Sequence, residues 1–406
     1  MNRNNLAIDV EAILDQAKSP ITNDCCIYRV PYDVREVNPD AYTPKIISIG
    51  PLHHFDQRLQ NMEKCKCAYF KEFVSRAKNK LEDLISAVED EEPRLRRCYS
   101  ENLEMNPYEL VKVILVDACF IVELFYRIYY KEWTRDDERM FNALGNIRID
   151  LLLLENQVPF FILEKIYNLV FSSQHRNLPS FLELSIYRFS QYNKQILEPN
   201  FTICHFTDLL RTFHLQHPWP ERKNFNYKDI PTASAFKETR GKFQINESNC
   251  ILDLQFSKGC LKIPHIQVAD DIEILLRNML ALEQCHYRRD RNIADYVYLM
   301  DFLINSEKDV DVLVESGIFF NWLGDNDAVA KLFNSLGKGI MFDSKSRYTD
   351  LFDEMNVFYN DRWRRKWTTL KRDYCYTSWR TLATCAAIAI VFLTLIQTVC
   401  SILQVV

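Results

Sequence analysis

The C-terminal segment 381–406 contains no charged side chain, and this feature constrains the chain most strongly. A helix needs about 20 predominantly apolar residues to cross a hydrocarbon layer roughly 30 Å thick. The polar residues of the segment are Ser, Thr and Gln, and hydroxyl groups can hydrogen-bond to the backbone of their own helix. An uncharged run of this length favours a membrane anchor over a buried core helix. We therefore predict a transmembrane helix over 381–403.

Basic and aromatic residues are concentrated directly before this run, in the segment 361–380. The residues expected at the membrane interface are Trp363, Arg364, Arg365, Lys366, Trp367, Lys371, Arg372, Trp379 and Arg380. An excess of Lys and Arg marks the cytoplasmic side of a membrane, and a helix with one aromatic and one basic face is typical of the headgroup layer. These patterns predict a cytosolic body, single-pass attachment and a lipid bilayer as partner, at the plasma membrane or an endomembrane. The alternatives are a nuclear signal or nucleic-acid patch in the basic run, or Trp side chains that pack on the body.

Composition narrows the classes of protein further. Hydrophobic residues at 48% and charged residues at 26% are typical of a folded globular chain of 406 residues. A net charge of −5 gives no general attraction to nucleic acid, so no nucleic-acid partner is predicted. Only 8 glycines argue against a phosphate-binding loop and against an all-β fold with many tight turns. The 13 cysteines lack framework spacing and are interpreted as free thiols of a reducing compartment.

Hydrophobic periodicity predicts a mainly α fold with a few short β-strands, of the α+β class. The predicted units are an amphipathic helix over 1–20, a helical body over 21–360 with a looser boundary or insertion at 172–229, the interface segment 361–380 and the transmembrane helix. Within the body, the pattern predicts a long helix from Leu59 to Val88 and a central core helix over 108–130. Two apolar runs joined by Ser257-Lys258-Gly259 predict a β-hairpin.

The sharpest polar cluster in an apolar setting is Asp150, Glu155, Asn156 and Gln157. Buried carboxylates in such a cluster can form an acid–base pair. The simpler interpretation is that Glu155 or Gln157 satisfies backbone groups exposed where Pro159 breaks a helix. His53 and His54 follow a Gly-Pro turn, where one satisfied imidazole is the more common role, and the sequence identifies no catalytic partner for them.

Metal and cofactor motifs are weak in this chain. Cys204-His205 with His214 and His217 is the nearest approach to a metal site, but its spacing matches no familiar zinc pattern. Walker A, GxSxG, HExxH and dinucleotide-binding motifs are absent from the sequence. We therefore predict no catalytic, metal or cofactor-binding residues.

The most specific blocks of the sequence include Cys26-Ile-Tyr-Arg-Val-Pro, Tyr42-Thr-Pro-Lys-Ile-Ile-Ser-Ile-Gly-Pro-Leu-His-His, Asp117-Ala-Cys-Phe-Ile, Asp150-Leu-Leu-Leu-Leu-Glu-Asn-Gln-Val-Pro-Phe-Phe and Asn321-Trp-Leu-Gly-Asp. These blocks resemble the plant domain-of-unknown-function 247 family. The resemblance covers roughly residues 25–400 and implies plant origin, membrane attachment and no established biochemical activity. Some grass members are associated with self-incompatibility, which implies recognition of partners.

Together these patterns predict a tail-anchored membrane protein whose helical body binds another protein in recognition or signalling. The alternative is a membrane-associated enzyme that uses the buried carboxylates or histidines. A pocket where these groups converge would favour the enzyme, and an exposed apolar or charged surface without such a pocket would favour binding.

Overall fold

The computed structural model describes residues 24–78, 80–133, 144–171, 178–193, 201–215, 219–225, 230–341, 343–361 and 378–405. The described chain is mainly helical with a few short strands, as predicted. Its helices are α1 (Tyr32–Arg35), α2 (Gln60–Arg76), α3 (Leu81–Glu89), α4 (Glu92–Cys98), α5 (Pro107–Tyr130), α6 (Leu144–Asp150), α7 (Phe160–Phe171), α8 (Phe181–Arg188), α9 (Phe206–Thr212), α10 (Ala233–Glu238), α11 (Asp270–Cys285), α12 (Asn292–Leu303), α13 (Glu307–Glu315), α14 (Asn326–Leu336), α15 (Thr349–Tyr359) and α16 (Ser378–Val405).

The strands of the described residues form three small sheets. They are β1 (Lys223–Asn224), β2 (Lys242–Asn246), β3 (Gln255–Ser257), β4 (Cys260–Pro264), β5 (Ile266–Val268), β6 (Phe319–Asn321) and β7 (Lys345–Ser346). Strand β4 lies between β2, its parallel neighbour, and β3, its antiparallel neighbour. Strands β5 and β6 pair in parallel, and β1 pairs with β7 in antiparallel orientation.

Helix α5 is the centre of the core, as predicted for residues 108–130. It begins at a capping box in which Asn106 and Glu109 satisfy each other's backbone N–H groups. Helices α2, α3, α7 and α8 pack around it. The predicted i, i+4 pair is present, with Arg127 Nε at 2.8 Å from Glu123 Oε1. A pair of opposite charges thus occupies a helix whose other buried residues are almost all apolar.

The predicted single helix from Leu59 to Val88 is wrong. Helix α2 ends at Arg76 and α3 begins at Leu81. Lys78 between them has a φ of 52°, in the left-handed region that stops a right-handed helix. The apolar spacing continues across this break because both helices bury a face against α5.

The predicted hairpin is present as β3 and β4. Its two connecting residues, Lys258 and Gly259, have φ values of 51° and 77°. Two successive positive φ values are the requirement of a type I′ turn, which matches the twist of the flanking strands. The turn also packs closely, because a Cβ atom at Gly259 would overlap the ring of Phe358 on α15.

One continuous hydrophobic cluster connects the body from Cys25 to Met355. It includes Phe181 and Phe206 from α8 and α9, the described helices of the segment 172–229. Phe181, Phe189 and Phe206 surround Phe125 of α5, and the centroid of each ring lies 5.4–5.8 Å from that of Phe125. The described parts of the looser segment are therefore built into the same core as α5.

Helix α16 covers the predicted transmembrane segment. Its side chains are described at Leu382 and from 386 to 399. Among the described residues, we find no helix that is both long enough and apolar enough to cross a membrane. The predicted span at 381–403 is therefore not confirmed.

Candidate functional site

Asp150, the last residue of α6, binds a stretch of backbone that lies more than a hundred residues earlier. One carboxylate oxygen accepts from the N–H of Lys45 at 3.0 Å, and the other accepts from Ile46 at 2.7 Å and Ile47 at 2.9 Å. Burial raises the pKa of Asp150, and these three N–H groups oppose the rise. The carboxylate is therefore engaged as the acceptor for three successive backbone N–H groups.

Asn156 and Gln157 complete this network from the loop after α6. The Asn156 side chain accepts from Ile49 N at 2.7 Å and donates to the carbonyls of Ile47 and Asp150. The Gln157 amide donates to the carbonyls of Leu151 and Leu153, each at 2.7 Å, and its oxygen accepts from Phe206 N at the start of α9. The structure thus places Gln157 at backbone groups exposed by the end of a helix, the simpler of the two roles considered from the sequence.

Glu155 is the centre of a second, separate network. Its carboxylate accepts from Val30 N at 2.8 Å and pairs with Arg29 at 2.9 Å, Arg35 at 3.2 Å and His53 Nε2 at 3.2 Å. Burial alone would raise the pKa of Glu155, but the hydrogen bond from His53, the charge of Arg35 and the other donors bring it below its ordinary value. Glu155 is fully buried and connects the first described segment to the loop before α7.

The predicted polar residues therefore do not converge on one pocket. Asp150, Asn156 and Gln157 bind backbone groups. Glu155 forms ion pairs with Arg29 and Arg35, and His53 Nε2 lies 3.2 Å from its carboxylate. His54 lies apart, with its ring 5.2 Å from that of Phe55. The described geometry suits fixing two chain segments to the helical core more than proton transfer to a bound substrate.

Lys66 on α2 is a fully buried cation that was not predicted from the sequence. Its ammonium group lies 2.5 Å from Asp117 on α5, 2.6 Å from Glu63 and 2.8 Å from the carbonyl of Ser48. The second oxygen of Asp117 accepts from Gly50 N at 2.8 Å. A usable signal was present, because Lys66 occupies the same helical stripe as Met62, Tyr69 and Phe73.

Of the metal candidates, His205 is a helix cap. Its Nδ1 accepts from Asp208 N at 3.4 Å at the start of α9, and its Nε2 lies 3.0 Å from the carbonyl of Cys26. This arrangement suits the neutral ring, with one nitrogen as acceptor and the other as donor. Within the described ranges, no group of three or more His, Cys, Asp or Glu side chains is arranged to hold a metal ion. His214 is buried, and His217 lies outside the described residues.

Replacing His205 with glutamine is expected to weaken the dependence of stability on pH. Burial lowers the pKa of His205 to about 4, whereas an exposed histidine titrates near 6.5. The unfolded chain therefore takes up the proton first, so stability is full above about pH 6.5 and is lost as pH falls toward 4. Urea unfolding at about pH 7 and about pH 4.5 should show a loss that is about 2–3 kcal/mol smaller in His205→Gln. Equal losses in both proteins would contradict this assignment.

The predicted membrane-interface residues fall largely beyond the described chain. Trp363, Arg364, Arg365, Lys366, Trp367, Lys371 and Arg372 lie outside the described residues, as does the predicted helix over 1–20. Trp379 and Arg380 belong to α16, where the structure describes the backbone. Their membrane role stays a prediction.

An exposed aromatic pair that the sequence did not single out lies at the end of β6. Phe320 is 50% exposed and Trp322 is 64% exposed, and their ring centroids are 5.0 Å apart. We call these two residues the aromatic patch. The neighbouring Phe319 faces the core, with its ring stacked 5.3 Å from Phe333. Successive side chains of a strand point to opposite faces, so Phe319 points inward while Phe320 and Trp322 point outward.

Comparisons with known proteins agree with the sequence resemblance. The model of domain-of-unknown-function family 247, described as plant protein of unknown function, matches residues 27–393. The chain is 30% identical to UPF0481 protein At3g47200 of Arabidopsis thaliana, over 94% of this chain and 87% of that protein. It is 23% identical to the putative UPF0481 protein At3g02645 of the same plant, over 91% of this chain and 89% of that one. No solved structure matches.

Proposed function

Because the chain belongs to the plant domain-of-unknown-function 247 family, whose description names no activity, we propose a function from its own surfaces: it is a recognition component that binds a protein partner while attached to a lipid bilayer. The proposal has two parts. Helix α16 provides the attachment, and the aromatic patch provides a contact surface for the partner.

Support for attachment comes from the side chains of α16. Its exposed large apolar residues are Leu382, Ile388, Ile390, Val391, Phe392, Leu393, Leu395, Ile396 and Val399, each more than half exposed. They cover all sides of the helix, since residues 390–393 alone span more than one turn. A helix that is apolar all round is typically buried in a large core or in a membrane. The hydroxyl groups of Thr394 and Thr398 donate to the carbonyls four residues earlier, which reduces their cost in lipid.

Support for a protein partner comes from the contrast between the interior and the surface. The polar cluster around Asp150 and Glu155 is engaged by the fold, whereas Phe320 and Trp322 expose large ring surfaces next to each other. Aromatic side chains bury a large area at low entropic cost and are enriched among the residues that dominate binding energy. The exposed ring pair is the observation that carries this part of the proposal.

The test is site-specific photo-cross-linking in plant membranes. A photo-reactive phenylalanine analogue replaces Trp322 in the full chain, and in a matched protein it replaces Tyr108, an aromatic residue of α5 that is 77% exposed. We expect a discrete cross-linked protein from position 322 and not from position 108. In purified form, Trp322→Ala should weaken binding of that partner by about 2 kcal/mol, or roughly 30-fold. Equal cross-linking from both positions, or unchanged affinity, would contradict the proposed surface.

A further inference from the structure

Three cysteines from distant parts of the chain meet in a small satellite of the core. Cys26 and Cys98 are buried, Cys204 is half-buried, and all three are free thiols. Cys26 and Cys98 belong to one buried cluster, and Cys204 packs against it. Ile27, Tyr99 and Phe161 surround the group with apolar side chains. We call Cys26, Cys98 and Cys204 the thiol cluster.

Backbone contacts set the spacing within the thiol cluster. The N–H of Cys26 donates to the carbonyl of Cys98 at 3.0 Å, and Ile27 pairs with Tyr99 in a parallel bridge. Neighbouring paired segments lie about 4.7–4.9 Å apart in the hydrogen-bonding direction, and in this parallel register Cys26 faces Cys98. Disulfides join Cα atoms that are about 4.4–6.8 Å apart. Cys26 and Cys98 can therefore be joined without moving the main chain far.

Cys204 is held against the same pair from the other side. Its carbonyl accepts from Phe160 N at 2.7 Å, and the ring of the next residue, His205, contacts the carbonyl of Cys26 at 3.0 Å. Cys204 is the member of the cluster with the greatest exposure to solvent. It is therefore the member most accessible to a small oxidant, and it offers a second thiol for Cys26.

The three thiols are not chemically equivalent. The neighbouring Cys26 thiol lowers the pKa of Cys98, and the charges of Arg94 and Arg97 act in the same direction, while burial and Asp24 oppose them. The neighbouring thiols of Cys204 and Cys98, together with burial, raise the pKa of Cys26. Thiolates rather than thiols react with oxidants, so these shifts favour Cys98 as the nucleophile of the group.

We propose that the thiol cluster is an oxidation site for hydrogen peroxide, in which Cys98 is oxidised and Cys26 then closes a disulfide with it. The Cys98 thiol first releases its proton. The thiolate attacks one peroxide oxygen, the O–O bond breaks, and the leaving hydroxide takes up a proton to form water. Cys98 is now a sulfenic acid.

The Cys26 sulfur next attacks the sulfur of Cys98. The S–O bond breaks, and the hydroxyl group leaves as water with the proton of Cys26. Two thiols have then lost two electrons and two protons, and one peroxide has been reduced to two waters. Cys204 can afterwards attack Cys26 by thiol–disulfide exchange, which moves the disulfide to Cys26–Cys204 and restores the Cys98 thiol.

The Cys26–Cys98 disulfide would join the first described segment to the end of α4. That segment also contains Arg29 and Val30, which bind Glu155. Closing this long loop restricts the unfolded chain more than the folded one, so the oxidised protein should unfold at a higher temperature. Oxidation therefore changes the stability of the region that Glu155 fixes to the core.

The experiment treats the reduced full chain, in detergent, with hydrogen peroxide and then alkylates the remaining thiols. Peptide mapping without reduction should find the peptide that contains Cys26 joined to that of Cys98 or Cys204, with the mass of two hydrogen atoms lost. Cys26→Ser should abolish both cross-links, whereas Cys25→Ser, which changes the adjacent buried thiol, should retain them. Cys98→Ser should slow the reaction and leave the Cys26–Cys204 product.

Peptide mapping of the unmodified sequence keeps the proposal testable even if a variant fails to fold. Oxidation that stops at sulfenic or sulfinic acid, or that joins other cysteines while these three stay reduced, would overturn it. An equal yield of the cross-link in Cys25→Ser and Cys26→Ser would also overturn it, because Cys26 would then not be the shared partner.

Discussion

Replacing Lys66 with methionine is expected to lower the free energy of unfolding by about 3–5 kcal/mol, the usual cost of removing one partner from a buried ion pair. The Lys66 side chain is fully buried, and Asp117 is 1% exposed. Without Lys66, the Asp117 carboxylate keeps its hydrogen bond from Gly50 N but loses its counter-ion, and the Ser48 carbonyl loses its donor. The Asp117 charge would then be buried without a counter-ion, and the Ser48 carbonyl would be buried without this donor.

Urea unfolding measures this effect against a matched control. Lys71 is an exposed lysine on the same helix, so Lys71→Met should change stability by less than about 0.5 kcal/mol. The double variant Lys66→Met/Asp117→Leu should lose less than the sum of its two single variants, since neither charge is then left alone. A loss in Lys66→Met no larger than that in Lys71→Met would show that the pair does not hold α2 to α5.

The sequence predicted those parts of the fold that depend on local patterns. The core helix over 108–130 was predictable because its apolar residues keep helical spacing. Two of its few charges, Glu123 and Arg127, are placed to pair at i, i+4. The hairpin was predictable because Ser257-Lys258-Gly259 separates two apolar runs and its glycine accepts a positive φ value. The break between α2 and α3 was not predictable in this way, because a lysine in the left-handed region has no sequence signature.

The partners of the polar residues could not be predicted, because they lie far apart in sequence. Val30 N binds Glu155 across 125 residues, and Gly50 N binds Asp117 across 67. The sequence identified Asp150, Glu155 and Gln157 as polar residues in an apolar setting, but it could not show which backbone each one satisfies. That assignment needs the tertiary fold, which brings the segment 45–50 against the end of α6.

Attachment to a lipid bilayer through α16 is the claim on which the proposed function depends, and its loss has the second large effect that we expect. Ile390 and Phe392 are 63% and 64% exposed in the middle of the described apolar side chains. A lysine at membrane depth costs about 2.5–3.5 kcal/mol on insertion scales, so the double variant Ile390→Lys/Phe392→Lys should lose roughly 5–7 kcal/mol of insertion free energy. We expect that loss to move the protein from mostly bound to lipid vesicles to mostly free in solution.

The matched control for this double variant is Thr394→Ser/Thr398→Ser. It keeps the two hydroxyl groups that donate to carbonyls of α16 and adds no charge. We expect it to bind vesicles as the intact chain does. Equal release of the control and the lysine variant would show that the charge is not the cause.

The most direct measurement is flotation of the purified full chain with lipid vesicles on a density gradient. We expect the intact chain to float with the vesicles. A chain without residues 378–405 and the Ile390→Lys/Phe392→Lys variant should both stay in the dense fraction. If the chain without residues 378–405 floats as completely as the intact one, attachment through α16 is contradicted.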